Sequence, residues 1–314
     1  MNNKAVGKKK TSWVYALAGA GSGVLTRALC QPFDVIKIRF QLQVEPIKLA
    51  SNHSKYRGTL HCLTTIAKEE GVLGLWRGHL PAQFLSAIYG FVQFQTYEVL
   101  KQKLSSNSNG KEHKHYANFL SGAAAGCTAT LLSFPFDIIR TRLVAQGNSK
   151  AYEGMVDGFV KIYKKEGMQG YFRGSSAALM VSGPLAGSQF LFYELFKSIT
   201  LSVDYMREKD SETKLIPSGE LICGSLSGVM SKLVTYPWDL VRKRLQFQNF
   251  QYARVGYGKN FTCKGLINCF KGTFEGENVL GLFKGLSPSL VKAALTTALY
   301  FAFYEEILKK LNLS

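Results

Sequence analysis

The sequence predicts an all-α membrane protein, with six spanning helices arranged as three pseudo-symmetric repeats around a central cavity and short helices in the connections. The observations behind this prediction are long stretches without charge, a motif repeated three times, and polar residues aligned on one face of alternate helices. Hydrophobic residues make up 46% of the chain, which excludes a disordered protein. The mean hydropathy of −0.01 conceals a strong segregation of charge along the chain.

Charge-free stretches predict the spanning helices. Residues 81–97, 116–136 and 175–193 contain no Asp, Glu, Lys or Arg. A helix needs ~20 mainly apolar residues to cross a bilayer. Stretches at 13–40, 221–245 and 286–303 are similar but interrupted by a few charges. A soluble helical protein fits less well, because buried helices of soluble proteins rarely lack a charged face over such lengths.

An internal repeat defines the domain organisation. A proline motif, P-x-D-x-x-[KR]-x-[KR], occurs at 32–39, 135–142 and 237–244, with its prolines 103 and 102 residues apart. Each copy follows a pair of glycines and precedes a Glu-Gly signature, in which Asn278 takes the third glycine position. Near its end, each repeat has the dipeptide Tyr-Glu. The third residue after this glutamate is Lys in the first two repeats and Leu308 in the third. We expect repeats at 13–104, 115–203 and 215–311.

The proline motifs place polar residues on one face of the first helix of each repeat. Arg27, Asp34, Lys37 and Gln41 are spaced by seven, three and four residues, which aligns them on a helix. A charge facing lipid at mid-bilayer costs at least ~2.5–3.5 kcal/mol, so the three polar faces should meet around a water-filled cavity. The equivalent residues are Thr130, Asp137, Arg140 and Val144 in the second repeat, and Lys232, Asp239, Arg242 and Gln246 in the third.

On these motifs the chain resembles the mitochondrial carrier family over essentially its whole length. The resemblance implies a monomeric transporter in the inner mitochondrial membrane, with short matrix helices and with both termini towards the intermembrane space. It also implies bound cardiolipin at the glycine-containing helix ends on the matrix side, around Gly71, Gly78, Gly167, Gly174 and Gly285. The glycine pairs before the prolines are interpreted as sites of close helix packing.

The family pattern implies two gates that open in alternation. The matrix gate would pair Asp34 with Arg140, Asp137 with Arg242, and Asp239 with Lys37, braced by Gln41 and Gln246, with Val144 in the third brace position. The cytosolic gate would consist of Tyr97, Glu98, Lys101, Tyr193, Glu194, Lys197, Tyr304 and Glu305. Breaking one ring while forming the other would constitute an alternating-access cycle.

Cavity-facing positions that break the threefold symmetry are the candidates for binding an asymmetric solute. Three cations without nearby acidic partners suggest a solute with two or three phosphates, because charge-assisted contacts to phosphate are strong. Amide, hydroxyl and aromatic groups would suit a heterocycle. The candidates are Arg27, Lys232, Lys292, Gln93, Gln189, Tyr300 and Ser182. These groups suit ADP or coenzyme A nearly as well as a smaller pyrophosphate.

A closer resemblance to some members of the family reduces the number of candidate solutes. The runs at 25–43, 76–83 and 283–295 are similar to those of family members that carry thiamine pyrophosphate. This implies import of thiamine pyrophosphate into the matrix by antiport, in exchange for nucleotides. The alternative is a carrier for adenine nucleotides or coenzyme A.

Two other classes of protein were weighed against a transporter. The net charge of +18 would suit a nucleic-acid-binding protein, but six apolar spans would not. An enzyme is not expected, since the glycine run at 19–23 follows no predicted strand and recurs as a packing feature. The six cysteines form no C-x-x-C pair, so neither a metal site nor a disulfide framework is expected, and no cofactor is implied.

Overall fold

The computed structural model describes residues 3–47, 54–105, 111–201, 217–253, 261, 263 and 265–310. Within these ranges the chain forms α-helices joined by short 3-10 turns, and no strand is present. The long helices are α1 (Asn3–Leu42), α3 (His79–Ser105), α4 (Lys111–Ala145), α6 (Ser175–Leu201), α7 (Pro217–Phe247) and α9 (Leu286–Lys310). The short helices are α2 (Thr59–Glu70), α5 (Met155–Glu166) and α8 (Leu266–Gly281).

The long helices close into a ring. Helix α3 packs on α4, α6 packs on α7, and α9 returns to pack on α1. Helices α1, α4 and α7 also contact one another. The main hydrophobic core lies where these three helices approach their C-terminal ends, and its fully buried members include Ile36, Phe134, Ile139 and Phe247. One end of the ring is therefore densely packed.

Glycines allow α3, α6 and α9 to begin against that packed end. Gly78 and Gly174, which directly precede α3 and α6, have φ values of +74° and +80°. A Cβ atom added there would lie 3.1 Å from the carbonyl oxygen of Arg140 and 3.2 Å from that of Arg242, respectively. A Cβ atom added at Gly285, which directly precedes α9, would lie 2.9 Å from the carbonyl oxygen of Lys37. These positions need both the left-handed conformation and the absence of a side chain.

The glycine pairs upstream of the prolines behave differently from the prediction. A Cβ atom added at Gly19 would lie 3.5 Å from the hydroxyl oxygen of Tyr300, so α1 and α9 do approach closely there. At Gly23, and at the pairs at 122/126 and 224/228, an added Cβ atom would meet nothing within 4 Å. The interpretation as close helix packing is wrong at these five positions, because open space lies beside them.

The third repeat departs from the other two in its connecting segment. Asn278 has φ +59°, like the glycines at 71 and 167, which asparagine tolerates better than most residues. Cys263 stands two residues before Gly265, where the other repeats have Tyr56 and Tyr152 before their glycines. Cys263 is bonded to Cys269 by a disulfide that the sequence did not predict, because their spacing matches no common motif.

Hydropathy marks only some of the long helices as able to span a membrane. Among the described residues, two segments are long and apolar enough to cross a bilayer, Leu120–Ala145 and Leu286–Lys310. The other long helices carry more charge or are less apolar in the same window. In α1 and α7 these charges include residues of the proline motifs.

Candidate functional site

Three ion pairs form a ring where α1, α4 and α7 meet, and each joins two of these helices. The pairs are the ones expected from the sequence. They are Arg140 Nη2 to Asp34 Oδ2 at 2.6 Å, Arg242 Nη2 to Asp137 Oδ2 at 2.7 Å, and Lys37 Nζ to Asp239 Oδ2 at 2.6 Å. We call these six residues the proline-motif ring. Its three corners are the contacts α1–α4, α4–α7 and α1–α7.

Glutamines support two of the three corners. Gln246 Nε2 donates to Asp137 Oδ2 at 2.6 Å, and Gln41 Nε2 donates to Asp239 Oδ2 at 3.3 Å. Val144 occupies the equivalent position on α4 and is fully buried, but it has no polar group to donate. The α1–α4 corner therefore lacks an amide brace, as its sequence indicates.

Lys292 supports that corner instead. Its ammonium group donates to both carboxylate oxygens of Asp34, at 2.7 Å each. The expectation that Lys292 is an unpaired cavity cation is wrong, because α9 packs on α1 and brings the lysine to this carboxylate. Asp34 consequently faces two cations, Arg140 and Lys292, from two different helices.

Adding the missing amide should strengthen the ring. We expect Val144→Gln to donate to Asp34, to raise the midpoint of thermal unfolding, and to slow solute exchange severalfold, since a hydrogen bond to a charged group contributes about 1.5–3 kcal/mol. Val144→Leu is the control for added volume without a donor. Exchange by Val144→Gln as fast as by the wild type would contradict a bracing role for this position.

A second layer of ion pairs lies beside the ring and was missed by the sequence analysis. The last basic residue of each proline motif is buried and makes a two-pronged contact with the glutamate of the Glu-Gly or Glu-Asn signature in its own repeat. The same arginine donates through Nε, at 3.1–3.3 Å, to a backbone carbonyl of another proline-motif helix: from α1 to α4, from α4 to α7, and from α7 to α1. The pairs are Arg39–Glu70, Arg142–Glu166 and Arg244–Glu277. The signal was available, because both members recur in register in all three repeats.

Each of these arginines has an additional hydroxyl partner. Arg39 Nη1 donates to the hydroxyl oxygen of Tyr56 at 2.6 Å, and Arg142 Nη1 donates to that of Tyr152 at 3.1 Å. Burial raises the pKa of Tyr152 to about 12, against the opposing effect of Arg142, so this phenol stays neutral at physiological pH. In the third repeat, Arg244 Nη1 instead donates to Thr273 Oγ1 at 2.9 Å.

Two of the predicted cavity cations do lack an acidic partner. Arg27 Nη1 donates to the carbonyl oxygen of Ala82 at 3.0 Å and to Ser86 Oγ. Lys232 Nζ donates to the carbonyl oxygen of Ser289 at 2.9 Å. Within the described part of the chain, no carboxylate forms an ion pair with either residue. Both positive charges therefore remain available to an anion.

The other predicted solute-binding residues are not drawn together by direct contacts. Gln93 and Gln189 are exposed, and Ser182 Oγ donates within its own helix to the carbonyl oxygen of Leu179 at 2.8 Å. Tyr300 is 37% exposed, and its ring stacks on that of Tyr304 with centroids 6.3 Å apart.

The second predicted gate is unpaired. No ion pair among the described residues joins its charged members, Glu98, Lys101, Glu194, Lys197 and Glu305. Lys101 Nζ lies 5.5 Å from the ring centroid of Tyr97 on its own helix. The structure thus has the proline-motif ring closed and the other set apart.

A sequence profile described as mitochondrial carrier protein matches the chain three times, over residues 8–108, 111–203 and 214–314. The chain belongs to the mitochondrial carrier family. This confirms the resemblance inferred from the proline motifs. Members of the family are transporters, so the protein is a mitochondrial solute carrier of the inner membrane and not a member of a catalytic family.

Individual relatives extend the similarity over nearly the whole carrier. This chain is 42% identical over 302 residues to the mitochondrial thiamine pyrophosphate carrier of Homo sapiens, and the alignment covers 96% of this chain and 93% of the human protein. It is 39% identical over 311 residues to mitochondrial thiamine diphosphate carrier 1 of Zea mays, with coverage of 94% and 93%. The carrier of the same name from Arabidopsis thaliana is 36% identical over 320 residues, with coverage of 95% and 94%.

Proposed function

We propose that this carrier crosses the inner membrane six times and imports thiamine pyrophosphate into the matrix by alternating access, in exchange for nucleotides. The six long helices would be the spans, two in each of the repeats 13–104, 115–203 and 215–311. They contain 25 to 40 residues each, more than the ~20 that a bilayer requires. Large exposed apolar side chains on all six helices suit contact with lipid; examples are Leu29, Phe91, Leu132, Leu191, Leu221 and Phe301.

The observation that carries the solute class is the pair of cations, Arg27 and Lys232, without acidic partners. Each precedes the aspartate of its proline motif by seven residues, which is about 10 Å along the helix and away from the packed end. A pyrophosphate group supplies negative charge for both, and charge-assisted hydrogen bonds to phosphate are among the strongest in proteins. Lys292, shared with Asp34, would be the third contact and would link the bound solute to the ring.

The inference about the organic part of the solute rests on weaker contacts and on the names of the relatives. Tyr300 would stack on a flat ring, while Gln93, Gln189 and Ser182 would offer hydrogen bonds to a heterocycle. The names of the relatives favour thiamine pyrophosphate. A carrier for adenine nucleotides or coenzyme A is the second candidate, because its solutes present the same phosphate chemistry to the same cations.

The two sets of gate residues support a transport cycle. The closed proline-motif ring would seal the matrix end, and the unpaired second set would leave the cavity open towards the cytosol. Transport would open the first ring and close the second, in which Leu308 replaces one cation. Cardiolipin at the glycine-containing helix ends, a monomeric state and termini in the intermembrane space complete the proposal, which includes no nucleic-acid partner.

Reconstitution into liposomes tests the proposal directly. We expect labelled thiamine pyrophosphate to enter vesicles that contain unlabelled thiamine pyrophosphate or ADP faster than it enters empty vesicles. Thiamine, which has no phosphate, should not enter. Preferential uptake of ADP or coenzyme A would favour the second candidate, and no uptake of any phosphorylated solute would refute the solute class.

A further inference from the structure

Lys243 is a buried cation with no counterpart in the other repeats. It lies between Arg242 and Arg244, which belong to the repeated motif, at a position occupied by Ile38 in the first repeat and Thr141 in the second. Only 6% of its surface is exposed. The repeat pattern therefore does not account for it.

The contacts of Lys243 satisfy its ammonium group completely. Lys243 Nζ donates to Asp137 Oδ1 at 2.8 Å, to Gln246 Oε1 at 3.0 Å and to Thr141 Oγ1 at 3.1 Å. An ammonium group has three N–H donors, and here each has an acceptor. Two of the three acceptors belong to α4, whereas the lysine itself belongs to α7.

This makes the three corners of the proline-motif ring unequal. At the α4–α7 corner, Asp137 receives hydrogen bonds from Arg242, Lys243 and Gln246, all from α7. At the α1–α7 corner, Asp239 receives one ion pair and one glutamine contact at 3.3 Å. At the α1–α4 corner, Asp34 has no glutamine, and its second cation comes from α9.

Separating α4 from α7 would remove two acceptors from a buried ammonium group and three donors from a buried carboxylate. A buried charge is costly to leave without partners, so this corner is the hardest of the three to open. Opening the corners beside α1 leaves Lys243 with all of its contacts.

We propose that Lys243 is a positioning residue that holds α4 and α7 together, so that the ring opens unequally, first at the two corners next to α1. The inference rests on the proposed gating role of the ring, but not on the identity of the solute. It adds a directional order to a gate whose repeated residues alone would predict three equivalent movements.

Spin-label distances at the ends of the three helices test the inference. Pro46→Cys, Lys150→Cys and Asn249→Cys introduce labelling sites at exposed positions after α1, α4 and α7, two at a time, in a Cys127→Ser background that removes the exposed native thiol. In the otherwise unaltered carrier, the 150–249 distribution should be narrow, and the two distributions that include residue 46 should be broader.

Lys243→Gln should broaden the 150–249 distribution to match the other two and increase its open fraction at least threefold. Thr141→Val removes one acceptor but keeps the positive charge, so it should broaden the 150–249 distribution by a smaller amount. This variant remains informative if Lys243→Gln folds poorly. Lys243→Arg should restore the narrow distribution. The matched control is Lys271→Gln, an exposed lysine on α8, which should change no distance.

Two results would overturn the inference: an unchanged 150–249 distribution in Lys243→Gln, or equal broadening of all three distributions. The measurement is made with and without thiamine pyrophosphate. Failure of that solute to be transported would refute the proposed function while leaving the distances in the solute-free carrier as a test of the corner.

Discussion

Lys232→Gln is expected to lower the uptake of thiamine pyrophosphate by about 10- to 150-fold, mainly through weaker apparent affinity. Lys232 donates only to the carbonyl oxygen of Ser289 and has no carboxylate partner in the described structure, so its positive charge is available to the solute. Loss of one charge-assisted hydrogen bond costs about 1.5–3 kcal/mol, which corresponds to this range. Rates of labelled uptake across a concentration series would measure the effect.

Lys271→Gln is the control for the loss of a lysine. That side chain is 74% exposed on α8 and makes a loose ion pair of 3.7 Å with Glu275. Its replacement should leave uptake unchanged. If Lys232→Gln and Lys271→Gln transport equally well, Lys232 does not bind the solute, and the assignment of the cavity cations fails with it.

Glu277→Gln is expected to lower the free energy of unfolding by about 3–5 kcal/mol, the range found when one partner of a buried ion pair is removed. Glu277 accepts from both Arg244 and Lys284, and all three side chains are at most 8% exposed. The neutral amide leaves two buried cations without an anion. A thermal unfolding curve of the purified carrier in detergent would show the change as a large fall in midpoint.

Glu275→Gln provides a matched control two residues away on the same helix. Its carboxylate is 63% exposed, and surface ion pairs contribute at most about 1 kcal/mol. The midpoint of this variant should be close to that of the wild type. Equal shifts in the two variants would mean that the Arg244–Glu277 contact does not stabilise the fold.

The hydrogen-bonding groups that support the three aspartates of the ring differ from corner to corner. A carrier with three similar repeats could therefore respond unequally to an asymmetric solute. The ion pairs of the proline-motif ring recur in all three repeats, but their supporting groups do not. Asp34 depends on Lys292 from α9, whereas Asp137 depends on Lys243 and Gln246 from α7. A bound pyrophosphate that competes for Lys292 would therefore weaken one corner specifically.

Much of the proline-motif ring could be predicted from the sequence. Helical periodicity places Asp34 and Lys37 on one face, and the repeat places equivalent pairs on two other helices. Charges on apolar helices must meet one another rather than lipid, and the resemblance to the carrier family implied which pairs form. The missing brace at Val144 follows from the same register.

Hydropathy alone is a weaker guide to the six proposed spans. Two segments are long and apolar enough to cross a bilayer, although the described residues form six long helices, which we propose to be the spans. In α1 and α7, the charged residues that form the ring also lower the hydropathy of the helix that carries them. The repeat identifies these helices more securely than hydropathy does.

The threefold repeat, the family resemblance and the polar faces that form the ring could be recognised from the amino-acid sequence, because they depend on spacing along one helix and on comparison between repeats. The contacts that depend on which helices are neighbours became visible only in the folded chain. Packing of α9 on α1 brings Lys292 to Asp34, and packing of α7 on α4 gives Lys243 two of its three acceptors. The spacing of residues along the chain carries no information about the partner that a long side chain reaches across such an interface.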